Sequence, residues 1–321
     1  MKHFAFFAAL VLVAATALSA IPVGDSDVAM GGDVRWRYTD NDGPAVGDAA
    51  DSTLRVRLNS SVQINDNFSA AWSLYVTGGM NDNDGEIGSN LDGIHGMENA
   101  YISWNNGFGD VHVGRIPAAM AGNDLLIDSE HHDGNSGSWD GAYVDFNDFG
   151  GWNLDLWYAE NNNVGANNTD EGTGFGITVN FDDMLGYGLH VGVADFDDDW
   201  VAGGYDAFYA GANIELSDVA DIGISWIDGD NGASGNAILL ELGYSVNDEV
   251  SIGIDYATAE TGSNGHGAGG FGDTDGDLMD GDMLRFDLGW GNAWSFSYIT
   301  WETTGAAAED TVLRVQYEVA L

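Results

Sequence analysis

Apolar and polar side chains alternate along most of this chain. A period of two is the mark of strands with two unlike faces. The C-terminal stretch is clearest: Leu313, Val315, Tyr317, Val319 and Leu321 form one face, and Arg314, Gln316 and Glu318 the other. Val34, Trp36 and Tyr38 alternate with Asp33, Arg35 and Arg37. Leu54, Val56, Leu58, Val62 and Ile64 oppose Arg55, Arg57, Asn59, Ser61 and Gln63. A helix would scatter those arginines around its circumference, whereas a strand keeps them on one face. The pattern predicts strands over 30–39, 52–64, 68–78, 97–105, 108–117, 138–147, 151–160, 172–182, 186–195, 204–216, 219–228, 235–246, 249–259, 281–290, 293–302 and 309–321, sixteen in all.

Their connections alternate as well. Short turns at Asn65-Asp66-Asn67, 105–108, 148–151, 182–186, Ser217-Asp218, Asn247-Asp248 and Gly291-Asn292 take turns with longer polar segments. Those segments are 40–51, 79–96, 118–137, 161–171, 196–203, 229–234, 260–280 and 303–308. A β-sandwich shows strands and turn signals but does not require long and short connections to alternate. Short turns at one end and longer loops at the other suit a membrane barrel with both termini on the short-turn, periplasmic side. Phe68, Phe108, Phe149, Trp152, Phe181, Tyr187, Trp290 and Trp294 gather beside the short turns, as an interfacial girdle would.

Composition narrows the partners. There are 52 acidic residues against 8 basic ones, for a formal charge of −44. Such a chain offers no basic surface for phosphates, so no nucleic-acid partner is expected. Self-repulsion of this size is screened by salt, which predicts a saline, halophilic setting. With 37 aromatic residues (14 Phe, 11 Trp and 12 Tyr) disorder is excluded, and without cysteine there are no disulfides or thiolate sites. Lys2 and His3, the apolar run Phe4–Leu18 and the small residues Ser19 and Ala20 read as a secretory signal over residues 1–20, leaving 21–321 as the barrel.

The chain resembles Gram-negative outer-membrane general-diffusion porins. The likeness rests on the signal, the alternating strands and the last strand, Thr311–Leu321. It rests also on the segments Gly31–Tyr38, Leu54–Leu58 and Asn65–Ser69, and on Val111-His112-Val113-Gly114-Arg115 ahead of a long loop. It departs from the family in ending on Leu321 where phenylalanine is usual, although the apolar alternation survives. The resemblance implies an all-β, 16-stranded antiparallel transmembrane barrel in the bacterial outer membrane. It also implies an inward-folded third loop and a homotrimer in outer-membrane lipid, passing ions and small hydrophilic solutes.

Lys2 is the only lysine, so arginine carries nearly all the positive charge. Arg35, Arg37, Arg55, Arg57 and Arg314 fall on strands one, two and sixteen, which are neighbours in a closed barrel, and Arg285 lies two strands beyond. All share the lumen-facing parity and are candidate pore-lining residues. Loop 118–137 carries Asp124, Asp128, Glu130 and Asp133 beside an apolar run, Leu125-Leu126-Ile127, which favours folding inward against the wall. By resemblance it would narrow the pore opposite the arginines and create a transverse field. A second reading has the arginines pairing with Asp33, Glu318 and other lumen acids. The acidic loops predict a cation preference.

Other signals are weaker. Asp273, Asp275 and Asp277 have the spacing of a Ca²⁺ loop, but the glycine is misplaced and the twelfth position is Leu284 rather than glutamate. No cofactor is expected beyond Ca²⁺ at such acidic loops. Glu130-His131-His132-Asp133 makes no nucleophile–base pair and no Gly-x-Ser-x-Gly occurs, so no enzyme is expected. The competing reading is a secreted, acidic, calcium-stabilised β protein forming a surface layer or filament.

Overall fold

A computed structural model describes residues 28–42, 49–79, 94–117, 138–146, 149–161, 172–184, 187–197, 204–230, 234–260, 281–291, 293–303 and 310–320. These residues form sixteen antiparallel strands and no helix. In chain order they are β1 (Val28–Asp42), β2 (Ala49–Asn65), β3 (Phe68–Gly79), β4 (Ile94–Asn105), β5 (Gly109–Pro117) and β6 (Ser138–Phe146). Next come β7 (Asn153–Asn161), β8 (Gly172–Met184), β9 (Tyr187–Phe196), β10 (Tyr205–Ser217) and β11 (Ala220–Asp230). The last five are β12 (Ser234–Asn247), β13 (Val250–Ala259), β14 (Gly281–Trp290), β15 (Trp294–Thr303) and β16 (Asp310–Ala320). Each strand pairs with its neighbours in sequence, and β1 pairs with β16, so the sheet closes. Closure leaves no open edge, and in lipid it satisfies the backbone between strands.

The short turns are built by the residue that opens them. Asn65 accepts the amides of Asn67 and Phe68 on its side-chain oxygen at 2.9 and 3.1 Å. Asn105 takes Gly107 N–H, Asn106 takes Phe108 N–H and Asn247 takes Glu249 N–H in the same way. Such Asx turns replace ladder bonds that a reversing chain must give up. Register shifts fall just before the turns, at Gln63/Asn65, Glu215/Ser217 and Ser245/Asn247. The length order of the connections is not strict, however: β11 and β12 are joined by only three residues, because pairing continues out to Asp230 opposite Ser234.

The two faces differ as the alternation requires. On β12, Leu239 is 4% exposed and its neighbour Leu240 is 41% exposed. Outward chains such as Ile177, Val193, Ile224, Leu242 and Ile254 make a lipid-facing belt. At its turn-side margin Phe68 stacks on Trp104 at 6.0 Å, Phe149 on Trp152 at 4.7 Å and Trp294 against Tyr317 at 4.7 Å. A second aromatic band, unforeseen in the sequence, lies toward the loops: Tyr158, Phe175, Phe208, Tyr256 and Tyr298. Outward carboxylates follow beyond it. Tyr158 donates to Glu160 at 2.8 Å and Tyr256 to Asp282 at 3.3 Å.

Candidate pore lining

The inner face has two unlike sectors. Strands β16, β1 and β2 carry Arg314, then Arg35 and Arg37, then Arg55 and Arg57, and β14 adds Arg285, all on the inward parity. Arg35 lies directly opposite Arg55 in the register. Two like charges so placed need compensation. Asp33 supplies it, approaching Arg55 Nη2 at 3.2 Å and Arg57 Nε at 2.5 Å. Glu318 lies 4.0 Å from Arg55. Arg37 rests on a neutral acceptor, donating through Nε and Nη2 to Gln316 Oε1 at 3.0 and 2.9 Å. Arg285 sits between Asp287 at 2.7 Å and Asp255 at 3.8 Å.

From β3 to β13 no arginine faces inward, since Arg115 has the outward parity and stands opposite Asp140. Carboxylates occupy this arc instead. Asp110, Asp145 and Asp155 follow one another across β5, β6 and β7 in direct register. Asp221 and Glu241 face inward on β11 and β12, each on the parity opposite to the lipid-facing Ile222, Ile224, Leu240 and Leu242. Asn180 donates to Asp155, and His112 Nδ1 meets Ser103 Oγ at 2.8 Å.

Aromatic rings cover glycines on β8, β9 and β10, whereas on β11 and β12 Gly223 and Gly243 lie beside the Glu241 and Asp221 carboxylates. Trp157 lies over Gly176, where any side chain would collide with the indole. Tyr209 lies over Gly192 in the same way, and its hydroxyl meets Thr178 Oγ1 at 2.6 Å. Phe196 packs beside Trp157 with centroids 5.6 Å apart. Toward the loops, Ile116, Ile227, Leu239, Met283, Ile299 and Val312 also point inward and are buried, so the loop-side part of the lumen wall is apolar on these strands. The parity of strands indicates which residues face in, but only the cross-strand register reveals these pairings.

Residues 7–277 match the family model described as Gram-negative porin. The chain belongs to the Gram-negative porins. No curated protein is similar to it by sequence. The fold is similar to that of OmpF from Salmonella typhi, solved with daunomycin: TM-score 0.64 at 10% identity, over 93% of this chain and 100% of that one. An anion-selective porin from Comamonas acidovorans gives 0.60 at 16% identity, over 92% and 100%. A loop-deleted OmpT from Vibrio cholerae gives 0.60 at 13%, over 92% and 100%. This porin is therefore a bacterial outer-membrane protein and a passive channel, in a family whose members are not enzymes.

Several sequence expectations fall outside the described residues: the signal over 1–20, Asp124, Asp128, Glu130 and Asp133 of loop 118–137, and Asp273, Asp275 and Asp277. Among the described residues no group of three or more His, Asp or Glu is arranged to hold a metal. Tyr75 faces the lumen and is buried opposite Arg57, while Phe286 is exposed on the lipid side opposite Tyr298.

Proposed function

We propose that this porin passes ions and small hydrophilic solutes down their gradients with a preference for cations. The supporting observation is the uneven inner wall. Arginines are confined to one sector and stand beside Asp33, Glu318, Asp255 and Asp287, whereas Asp110, Asp145, Asp155, Asp221 and Glu241 share theirs with no arginine. Carboxylates lining a confined aqueous path raise the local cation concentration and repel anions. The total charge of −44 acts in the same direction at the mouths.

Loop 118–137 is assigned the narrowing role. It leaves β5 beside Ile116, where the apolar wall begins, and its Leu125-Leu126-Ile127 run suits that wall. Asp124, Asp128, Glu130 and Asp133 would then face the arginine sector. A homotrimer fits the outer surface: β2 and β3 present Leu54, Val56, Leu58, Leu74 and Val76 with no outward carboxylate, unlike β7, β10, β11 and β14. A copy of so acidic a chain meets no outward carboxylate on that part of the belt.

The test is planar-bilayer conductance of the detergent-purified protein, with the reversal potential read across a KCl gradient. Stepwise conductance reversing on the cation side is expected. Reversal on the anion side would keep the channel and transfer control to Arg35, Arg37, Arg55 and Arg57. A folded barrel without conductance steps would defeat the open-pore reading.

A further inference from the structure

Asp33 occupies an unusual place on the arginine wall. It pairs in register with Arg57 and lies two residues from the opposed pair Arg35 and Arg55. Its two carboxylate oxygens are divided, Oδ1 taking Arg55 and Oδ2 taking Arg57. The side chain of Asp33 is 6% exposed, against 14% for Arg55 and 29% for Arg57. The carboxylate is thus the most buried member of the trio. Charge-assisted bonds of this kind are short, directional and about twice as strong as neutral ones. Removing one partner of a buried charge group leaves the others uncompensated.

We infer that Asp33 is a positioning residue that sets the ion selectivity of the channel: it holds Arg55 and Arg57 against the wall and offsets their field, leaving control to the facing carboxylates. Asp33 itself need not touch a permeating ion. Glu318, at 4.0 Å from Arg55, contributes less because it is longer-range and more exposed. With Asp33 neutralised, two guanidiniums would act on the lumen without their nearest counter-charge, and anions would gain.

This inference rests on the channel reading, and the experiment separates the two. The K⁺/Cl⁻ permeability ratio is measured for the purified full protein carrying Asp33→Asn, Asp33→Glu, the pair Arg55→Gln with Arg57→Gln, and the triple variant. Asp33→Asn is expected to lower the ratio about threefold or more, and Asp33→Glu to leave it near the starting value. In the background lacking both arginines the same Asp33→Asn change should move it less than about 1.5-fold. An equal shift with and without the arginines would make Asp33 a plain pore charge and overturn the positioning role, as would no shift at all. Should Asp33→Asn fail to assemble, the triple variant decides. Its recovery of heat-modifiable folding shows that the two arginines are what Asp33 holds, and its failure overturns the inference. If the unaltered protein folds but does not conduct, the channel reading falls, and the folding arm still judges the link between Asp33 and the arginines.

Discussion

Two parts of the same lumen solve the problem of a crowded inner wall in opposite ways. On β16, β1 and β2 the inward side chains are long and charged, and they are held by carboxylate and amide acceptors. On β7 to β10 they are broad rings, and the adjoining strands supply glycines that leave room for them. Charge pairing keeps groups that still act electrostatically on a solute. Ring-on-glycine packing fills the wall with inert surface and makes its integrity depend on shape. The arginine sector should therefore answer mainly to charge changes, and the aromatic sector to volume changes.

The largest expected effect breaks the second of these. Gly192→Val places a branched side chain where the Tyr209 ring lies. The ring must leave, and the 2.6 Å bond between its hydroxyl and Thr178 goes with it. Overpacking combined with a lost buried hydrogen bond is expected to cost about 3 kcal/mol or more, read by denaturant unfolding of the reconstituted barrel. Gly188→Ala is the control, since its nearest neighbour outside the adjoining residues is Asn213 at 3.9 Å. Its change should stay within about 0.5 kcal/mol. Equal losses at both sites would show that strand propensity, not the ring, decides.

A smaller effect isolates the polar tip of the same ring. Thr178→Val keeps the volume and removes the hydroxyl partner of Tyr209. The residue is fully buried, so a loss of about 1–2 kcal/mol is expected in the same unfolding measurement. Tyr209→Phe in the Thr178→Val background should cost little more.

Much of this was legible in the chain. The predicted strand positions agree with the observed ones because period-two alternation is strong wherever one face meets lipid and the other does not. The turns were legible through Asn65, Asn105 and Asn247, whose side chains rebuild the hydrogen bonds that a turn loses. Parity alone put Arg35, Arg37, Arg55, Arg57, Arg285 and Arg314 on the inner face. The lumen acids Asp33 and Glu318 were legible as partners for the arginines, and both stand beside Arg55. What escaped is the detail that depends on register: that Asp33 divides its oxygens between Arg55 and Arg57, and that Trp157 lies above Gly176.

The mildest structural change sharpens the contrast between the sectors by making one resemble the other. Glu241→Arg puts a guanidinium at a half-buried inward position of β12, a strand without arginine. Because Gly223 leaves room beside this side chain on the adjoining strand, stability should change by less than about 1 kcal/mol. The reversal potential should nevertheless move toward the anion side, since a carboxylate has become a cation. Raising KCl from 0.1 M to 1 M shortens the screening length from about 10 Å to about 3 Å. The gap between Glu241→Arg and the unaltered porin should therefore close as salt rises. The stability loss of Gly192→Val should remain, because a steric collision is not screened. A selectivity gap that persisted at 1 M would place Glu241 within contact distance of the permeating ion, and the facing arc would then act as a binding surface rather than as a field.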